Sequence, residues 1–204
     1  MKLDASDKYM NQETTPYDIQ NIVFSGKFTI DDKLNTDELE KSIDGSYKKP
    51  TFPALVYKEK GFSNTILLYN SGTFICTGNK TIDDGIRFIQ SFTKKLTSNG
   101  VAIHGITHEI VNIVATGDFT LMIDLESTAL ELENVQYEPE VFPGLIYRPG
   151  PMPNNGLAPV FLFFKKGKFV CTKLKDIDMI QKWVDHARRE LVDKGLYLEA
   201  TTYQ

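Results

Sequence analysis

The sequence predicts an α+β fold in which one unit is written twice: a curved, ten-stranded antiparallel sheet with two long helices on a single face. Three observations predict it. First, Thr51-Phe52-Pro53-Ala54-Leu55-Val56-Tyr57-Lys58 returns as Val141-Phe142-Pro143-Gly144-Leu145-Ile146-Tyr147-Arg148, 90 positions on (142 against 52). Second, Gly72-Thr73-Phe74-Ile75-Cys76-Thr77 returns as Gly167-Lys168-Phe169-Val170-Cys171-Thr172, 95 positions on (171 against 76). Third, each copy ends in a stretch with apolar residues every three or four positions. Self-similarity of this length fixes the architecture before any local feature is read. The change of offset puts an insertion in the second copy, between Arg148 and Phe161.

The elements follow in order. Ile19, Ile22, Val23 and Phe24 open a strand that runs to about Phe28. Thr36 to Ile43 reads as a short helix, with Leu39 and Ile43 four apart and Glu38 and Glu40 in its first turns. Strands over 52–57, 65–69 and 73–77 are separated by turns carrying Gly61, Asn64 and Asn70-Ser71-Gly72, which makes an antiparallel meander. From Ile82, the positions Ile86, Ile89, Phe92 and Leu96 mark an amphipathic helix. The second copy repeats the order: a strand over 110–115, a helix around 125–132, and strands over 144–148, 160–164 and 168–172. A long helix carrying Ile177, Ile180, Trp183 or Val184, Ala187 and Leu191 ends it. Arg188, Arg189 and Lys194 are expected near that helix's C-terminus, where cations suit the dipole. The repeat divides the chain into a flexible N-terminal tail (1–16), repeat 1 (17–106) and repeat 2 (107–204).

Composition excludes several classes. With 41% hydrophobic and 25% charged residues the chain is ordinary globular protein. It has no membrane-length apolar run and no signal-peptide pattern at its start, so an intracellular protein is expected. The two cysteines, Cys76 and Cys171, hold matching positions, which points to buried strand residues and not to a disulfide framework. His104 and His108 lack a third ligand, so no metal site is expected, and no cofactor motif is present. Paired carboxylates at Glu138 and Glu140 have no nucleophile beside them, so the chain reads as a non-enzyme. The net charge of −4 lacks the usual basic footprint of a nucleic-acid binder.

Strand parity defines an open face. Ile22 and Ile113 belong to the set that meets the helices, while Asn21, Val23, Asn112 and Val114 point the other way. Ile75 and Thr77, like Val170 and Thr172, share one parity. The uncovered face is thus apolar with a few small polar groups and two symmetric asparagines. Such a face implies a partner large enough to cover it.

These blocks resemble the conserved core of the TATA-box-binding protein family, over nearly the whole chain from about Ile19. The most specific marker is the run from Tyr137-Glu138-Pro139-Glu140 through Arg148, joined by Gln20-Asn21-Ile22-Val23 and Val111-Asn112-Ile113-Val114. The short tail and the run from Leu132 to Tyr137 look more like archaeal members. The resemblance implies a two-repeat saddle, with the long helices on its convex face, that binds double-stranded A·T-rich promoter DNA in the minor groove. It also implies the mechanism for which this family is the standard example: apolar side chains inserted between base steps kink the duplex.

Carried over position by position, the wedges are Phe142 and Phe164 in the second half, Phe52 and Tyr69 in the first. Asn21 and Asn112 match the amides that donate to minor-groove acceptors, which A·T pairs offer without the obstructing guanine amino group. Thr77 and Thr172 match hydroxyls beside them. Val23, Val114, Ile75 and Val170 supply the apolar floor, and Lys58 and Arg148 lie near phosphates. Lys165 and Lys166 are further rim cations that answer the acidic net charge. Glu138 and Glu140 are the expected contact with a B-type transcription initiation factor, which brings RNA polymerase indirectly. The expected assembly is a monomer on DNA, with dimerisation in the free state as an open alternative. Location follows lineage: cytoplasm and nucleoid if archaeal, nucleus if eukaryotic.

Several positions depart from the family. Tyr69 stands where Phe is usual, Thr51 where a basic residue is common, and Lys173 where the first half has Gly78. A proline-rich insertion occupies 149–159, Asp118 is near the expected DNA side, and the 82–96 helix has few cations. These departures define the competing reading: a divergent protein-interaction module with weak or lost DNA binding.

Overall fold

Alternating burial along several strands organises the computed structural model, which describes residues 14–151 and 158–198. The chain packs as two units, one of residues 20–113 and one joining the residues up to 19 to those from 114 onward.

In the first unit, β1 (Tyr17–Thr29) contributes its residues from Gln20 on. α1 (Thr36–Ser42) is capped by the Asn35 side chain, which accepts the Glu38 N–H. β2 (Ser46–Lys48), β3 (Leu55–Lys58), β4 (Thr65–Leu68) and β5 (Thr73–Asn79) follow, in the order β2-β3-β4-β5-β1. α2 (Ile82–Ser98) begins at Thr81, whose hydroxyl accepts the Asp84 N–H, and Asp83 and Asp84 in its first turn suit the positive end of the helix. Its buried stripe, Phe88, Ile89, Phe92 and Leu96, and the strand residues Ile22, Phe24, Phe74 and Cys76 are all at most 4% exposed. Full burial of each large apolar side chain contributes about 1.5–3 kcal/mol. The Tyr57 ring stacks between Phe88 and Phe92, 5.6 and 4.7 Å away.

In the second unit, β6 (Gly105–Asp118) contributes its residues from Val114. β7 (Met122–Ile123) and α3 (Leu125–Glu131) precede β8 (Val135–Gln136), β9 (Leu145–Tyr147), β10 (Val160–Phe163) and β11 (Lys168–Leu174), ordered β6-β11-β10-β9-β8. A 3-10 turn, Ile177–Met179, leads into α4 (Ile180–Asp193), and β12 (Tyr197–Leu198) pairs with β7. Ile180, Trp183, Val184, Ala187 and Leu191 of α4 are all buried, as are Phe119, Phe161, Phe163 and Phe169 beneath them. Thr15 is buried too. Its N–H donates to Asp185 Oδ1 at 3.0 Å and its carbonyl accepts from Gln181 Nε2 at 3.0 Å.

Ile177, expected on the apolar stripe of the last helix, lies in the 3-10 turn before it, and the structure differs from expectation in three further respects. The strand expected over 52–57 begins only at Leu55, because Pro53 has no N–H to give a ladder. The short fifth strands, β2 and β8, carry no pattern long enough to find. Arg188 is 5% exposed and does not serve as a surface cation at the helix end; its Nε has no hydrogen-bond partner among the described residues. Burial pulls its guanidinium below the ordinary range, opposed by Asp185. The α1 and α2 boundaries agree with expectation to within two residues. The expected flexible tail lies outside the described residues up to position 13, as does the insertion over 152–157.

Candidate nucleic-acid interface

Four strands present one repeated pattern. Along β1, Ile22 and Phe24 are buried while Asn21 and Val23 are half-buried; along β5, Phe74 and Cys76 are buried while Ile75 and Thr77 are half-buried. β6 does the same with Ile113 and Ala115 against Asn112 and Val114, and β11 with Phe169 and Cys171 against Val170 and Thr172. The pleat separates the two sets, and the half-buried set is the one the sequence assigns to the open face. Both cysteines are buried and free; burial pushes the thiols up to about 11 for Cys76 and about 12 for Cys171.

The Asn21 amide has a fixed orientation. Its Oδ1 accepts the Gly78 N–H at 2.8 Å and the Thr77 hydroxyl at 3.3 Å, and its Nδ2 donates to Thr77 Oγ1 at 3.0 Å. With the oxygen turned to the backbone, one Nδ2 proton remains to donate outward. The backbone beneath it is held by a buried amide pair that the sequence reading missed. Asn64 Nδ2 donates to Asn79 Oδ1 at 2.6 Å, and Asn79 Nδ2 donates to the Ile22 carbonyl at 2.7 Å. This bridges a β-bulge where β1 pairs with β5, between Ile22 and Phe24. The signal was an Asn inside a strand, but its partners lie 15 and 57 positions away.

The four aromatic candidates occupy equivalent turns. Tyr69 accepts the Gly72 N–H and donates its own N–H to Thr73; Phe164 does the same with Gly167 and Lys168. Phe52 N–H donates to the Lys49 carbonyl, and Phe142 N–H to the Glu138 carbonyl, each at 2.9–3.0 Å. All four side chains are half-buried. In the second unit Phe142 and Phe164 are brought together, ring centroids 5.9 Å apart at 70°. Lys165, Lys166, Lys58 and Arg148 are exposed, as are Glu138 and Glu140. Lys48 is neutralised locally, its Nζ 2.6 Å from Asp37, whose carboxyl it draws below the usual range.

Beside Phe164 lies a groove of about 850 Å³ lined by Pro143, Tyr17, Thr116, Asp118, Lys166 and Lys168, among others. Thr116 and Lys168 were not singled out from the sequence; continuing the 112, 114 parity one step would have found Thr116. Asp118 uses Oδ1 to accept the Thr120 N–H at 2.8 Å. His104 pairs with Asp31 at 2.9 Å and His108 packs edge-on against Phe24 at 5.9 Å, so the two histidines serve separate contacts.

The family model described as transcription factor TFIID, or TATA-binding protein (TBP), matches residues 16–99 and 107–193, one match for each repeat. The chain belongs to the TATA-binding protein family. A TATA-box-binding protein of Methanosphaera stadtmanae is 35% identical over 182 residues, 88% of this chain and 94% of that protein. One from Methanobrevibacter smithii is 37% identical over 180 residues, 87% of this chain and 96% of that protein. The structure of Methanococcus jannaschii TBP is similar with a TM-score of 0.71 at 30% identity, covering 87% of this chain and 96% of that one. The expected α+β, two-repeat fold and the archaeal likeness are therefore borne out, and TATA-binding protein membership makes the chain a transcription factor and not an enzyme. No helix among the described residues is long and apolar enough to cross a membrane.

Proposed function

We propose that this chain is a general initiation factor that binds the minor groove of TATA-like promoter DNA. It bends the duplex with aromatic wedges and recruits a B-type initiation factor, which brings RNA polymerase. The observation that carries this reading is the repeated face: Asn21 and Val23, Ile75 and Thr77, Asn112 and Val114, Val170 and Thr172 stay half-buried while their strand neighbours are buried.

Phe52 and Tyr69 insert as the wedge pair of the first repeat, Phe142 and Phe164 as that of the second. Unstacking costs a few kcal/mol per step, offset by apolar contact with the widened groove. Asn21 and Asn112 donate to the adenine N3 and thymine O2 acceptors, and Thr77 and Thr172 flank them. Lys58, Arg148, Lys165 and Lys166 neutralise phosphates at the rim, so affinity rests less on charge than in groove binders built on Lys and Arg. Glu138 and Glu140, on an exposed loop leading to Phe142, carry the acidic patch for the B-type factor, guiding encounter and orientation.

The test is end-to-end fluorescence energy transfer on a duplex with a TATA-like site, for wild type and Phe142→Ala. Shortening that the variant loses supports wedge-driven bending. No change with either protein, with or without a B-type factor, removes the promoter reading in favour of a protein-interaction module.

A further inference from the structure

Both backbone polar groups of Thr15 are taken by side chains of α4. Thr15 stands outside the strand, which starts at Tyr17, and the intervening Pro16 has no N–H to give a ladder. Instead the Thr15 N–H donates to Asp185 Oδ1 and its carbonyl accepts from Gln181 Nε2, both at 3.0 Å, while Gln181 Nε2 also donates to Asp185 Oδ1 at 2.9 Å. Gln181 and Asp185 are four apart on α4, so they stand on one helix face. With Thr15 only 1% exposed, losing either bond leaves a buried backbone group unpaired. The next three residues, Pro16, Tyr17 and Asp18, line the groove that also holds Phe164 and Val170, whereas no α4 residue lines it. Gly117 admits this wall from the other side: a Cβ there would lie 2.6 Å from the Pro16 carbonyl oxygen and 2.5 Å from Phe169 Cζ.

We infer that Gln181 and Asp185 are positioning residues for DNA binding: from a helix that does not line the groove, they fix its wall over 15–18 before the duplex arrives. This rests on the proposed function, in which Phe164 and Val170 of the same groove face the DNA. Neither side chain touches the duplex. Their effect is on the free protein, where a wall already held costs nothing further to order, while a loosened one must be ordered on binding at the expense of affinity. No cation is involved, so the contribution is independent of the phosphate term.

The experiment titrates an A·T-rich duplex with the full chain and follows hydrogen exchange of the Thr15 amide, free and on DNA. Urea midpoints first establish that each variant is folded. Gln181→Ala and Asp185→Ala should each weaken binding about tenfold, equivalent to about 1.4 kcal/mol, with the salt slope unchanged. Asp185→Asn keeps an oxygen for the Thr15 N–H and should bind like wild type. So should Val192→Ala, which trims a buried side chain about two turns along the same helix and controls for lost stability alone. In wild type the Thr15 amide should exchange slowly in both states. In Gln181→Ala, which leaves the Asp185 acceptor, it should exchange faster in the free protein and slow again on DNA, as a wall ordered by binding would. Alanine variants that bind like wild type, a loss as large in Val192→Ala or in Asp185→Asn, or Thr15 exchange in Gln181→Ala that DNA does not slow would overturn the inference while leaving the binding function intact. Absence of binding by wild type would overturn both.

Discussion

Gly78 and Lys173 hold the same position in the two repeats, and both sit in the left-handed region, at φ +85° and +69°. Only glycine takes that backbone without steric cost. In the first unit the demand is doubled, since a Cβ at Gly78 would lie 2.3 Å from the Ser63 carbonyl oxygen. Lys173→Gly is expected to raise stability by about 1 kcal/mol. Gly78→Ala should lower it by more, about 2 kcal/mol or above. Urea midpoints of the two variants check both signs.

The Asn64–Asn79 pair gives a second stability test. Asn79→Ala strands the Asn64 amide and the Ile22 carbonyl in the core, and should cost about 2–3 kcal/mol. The second repeat has Leu174 at this position, so Leu174→Ala should instead show the cost of a simple cavity, about 2–5 kcal/mol. Double-mutant cycles of Asn64 with Asn79 should give a coupling term, with no counterpart at Leu174.

Alkaline pH should weaken the fold. Cys76 and Cys171 titrate near 9 when unfolded but are pushed up to about 11 and about 12 when folded, by burial. Above pH 9 the unfolded chain releases protons that the native one keeps, so stability is full below pH 9 and falls through about 11–12. Tyr57 and Tyr147 act in the same sense above pH 10; burial raises both, reinforced by Glu59 and Glu190 respectively. Urea midpoints from pH 8 to 11 should fall, and fall less in Cys76→Ala with Cys171→Ala. At pH 8 a thiol reagent should react only on unfolding.

On DNA, Asn21→Ala removes one oriented donor and should weaken binding to A·T-rich sites by about tenfold to a hundredfold. Lys165→Gln with Lys166→Gln removes two exposed cations. It should lower the salt slope of log affinity by about 1.8 while leaving the preference among sequences unchanged. Titrations at several salt concentrations separate these outcomes.

Much of this was legible because it is local or repeated. Period-two alternation around Asn21 and Asn112 is a property of a few neighbouring residues, and the repeat doubles it. The helix caps at Asn35 and Thr81 are likewise spelled in four residues. The missed features depend on distant partners or on very short segments. Asn79 reads as a strand-breaking residue until Ile22 and Asn64 are seen beside it. Ser46–Lys48 has three residues and no alternation to count. Arg188 sits on the same turn as Ala187 and Leu191, and no charge pattern marks it as buried.

The clamp between Thr15 and the pair Gln181 and Asp185 spans up to 170 positions of one unit. Residues 20–113 are contiguous and can fold as soon as they leave the ribosome, whereas the strand start at 17–19 must wait for α4 to be synthesised. A nascent chain halted near residue 150 should therefore carry a protease-resistant first unit behind an N-terminal stretch that is still cleaved, and completing the chain should close that site.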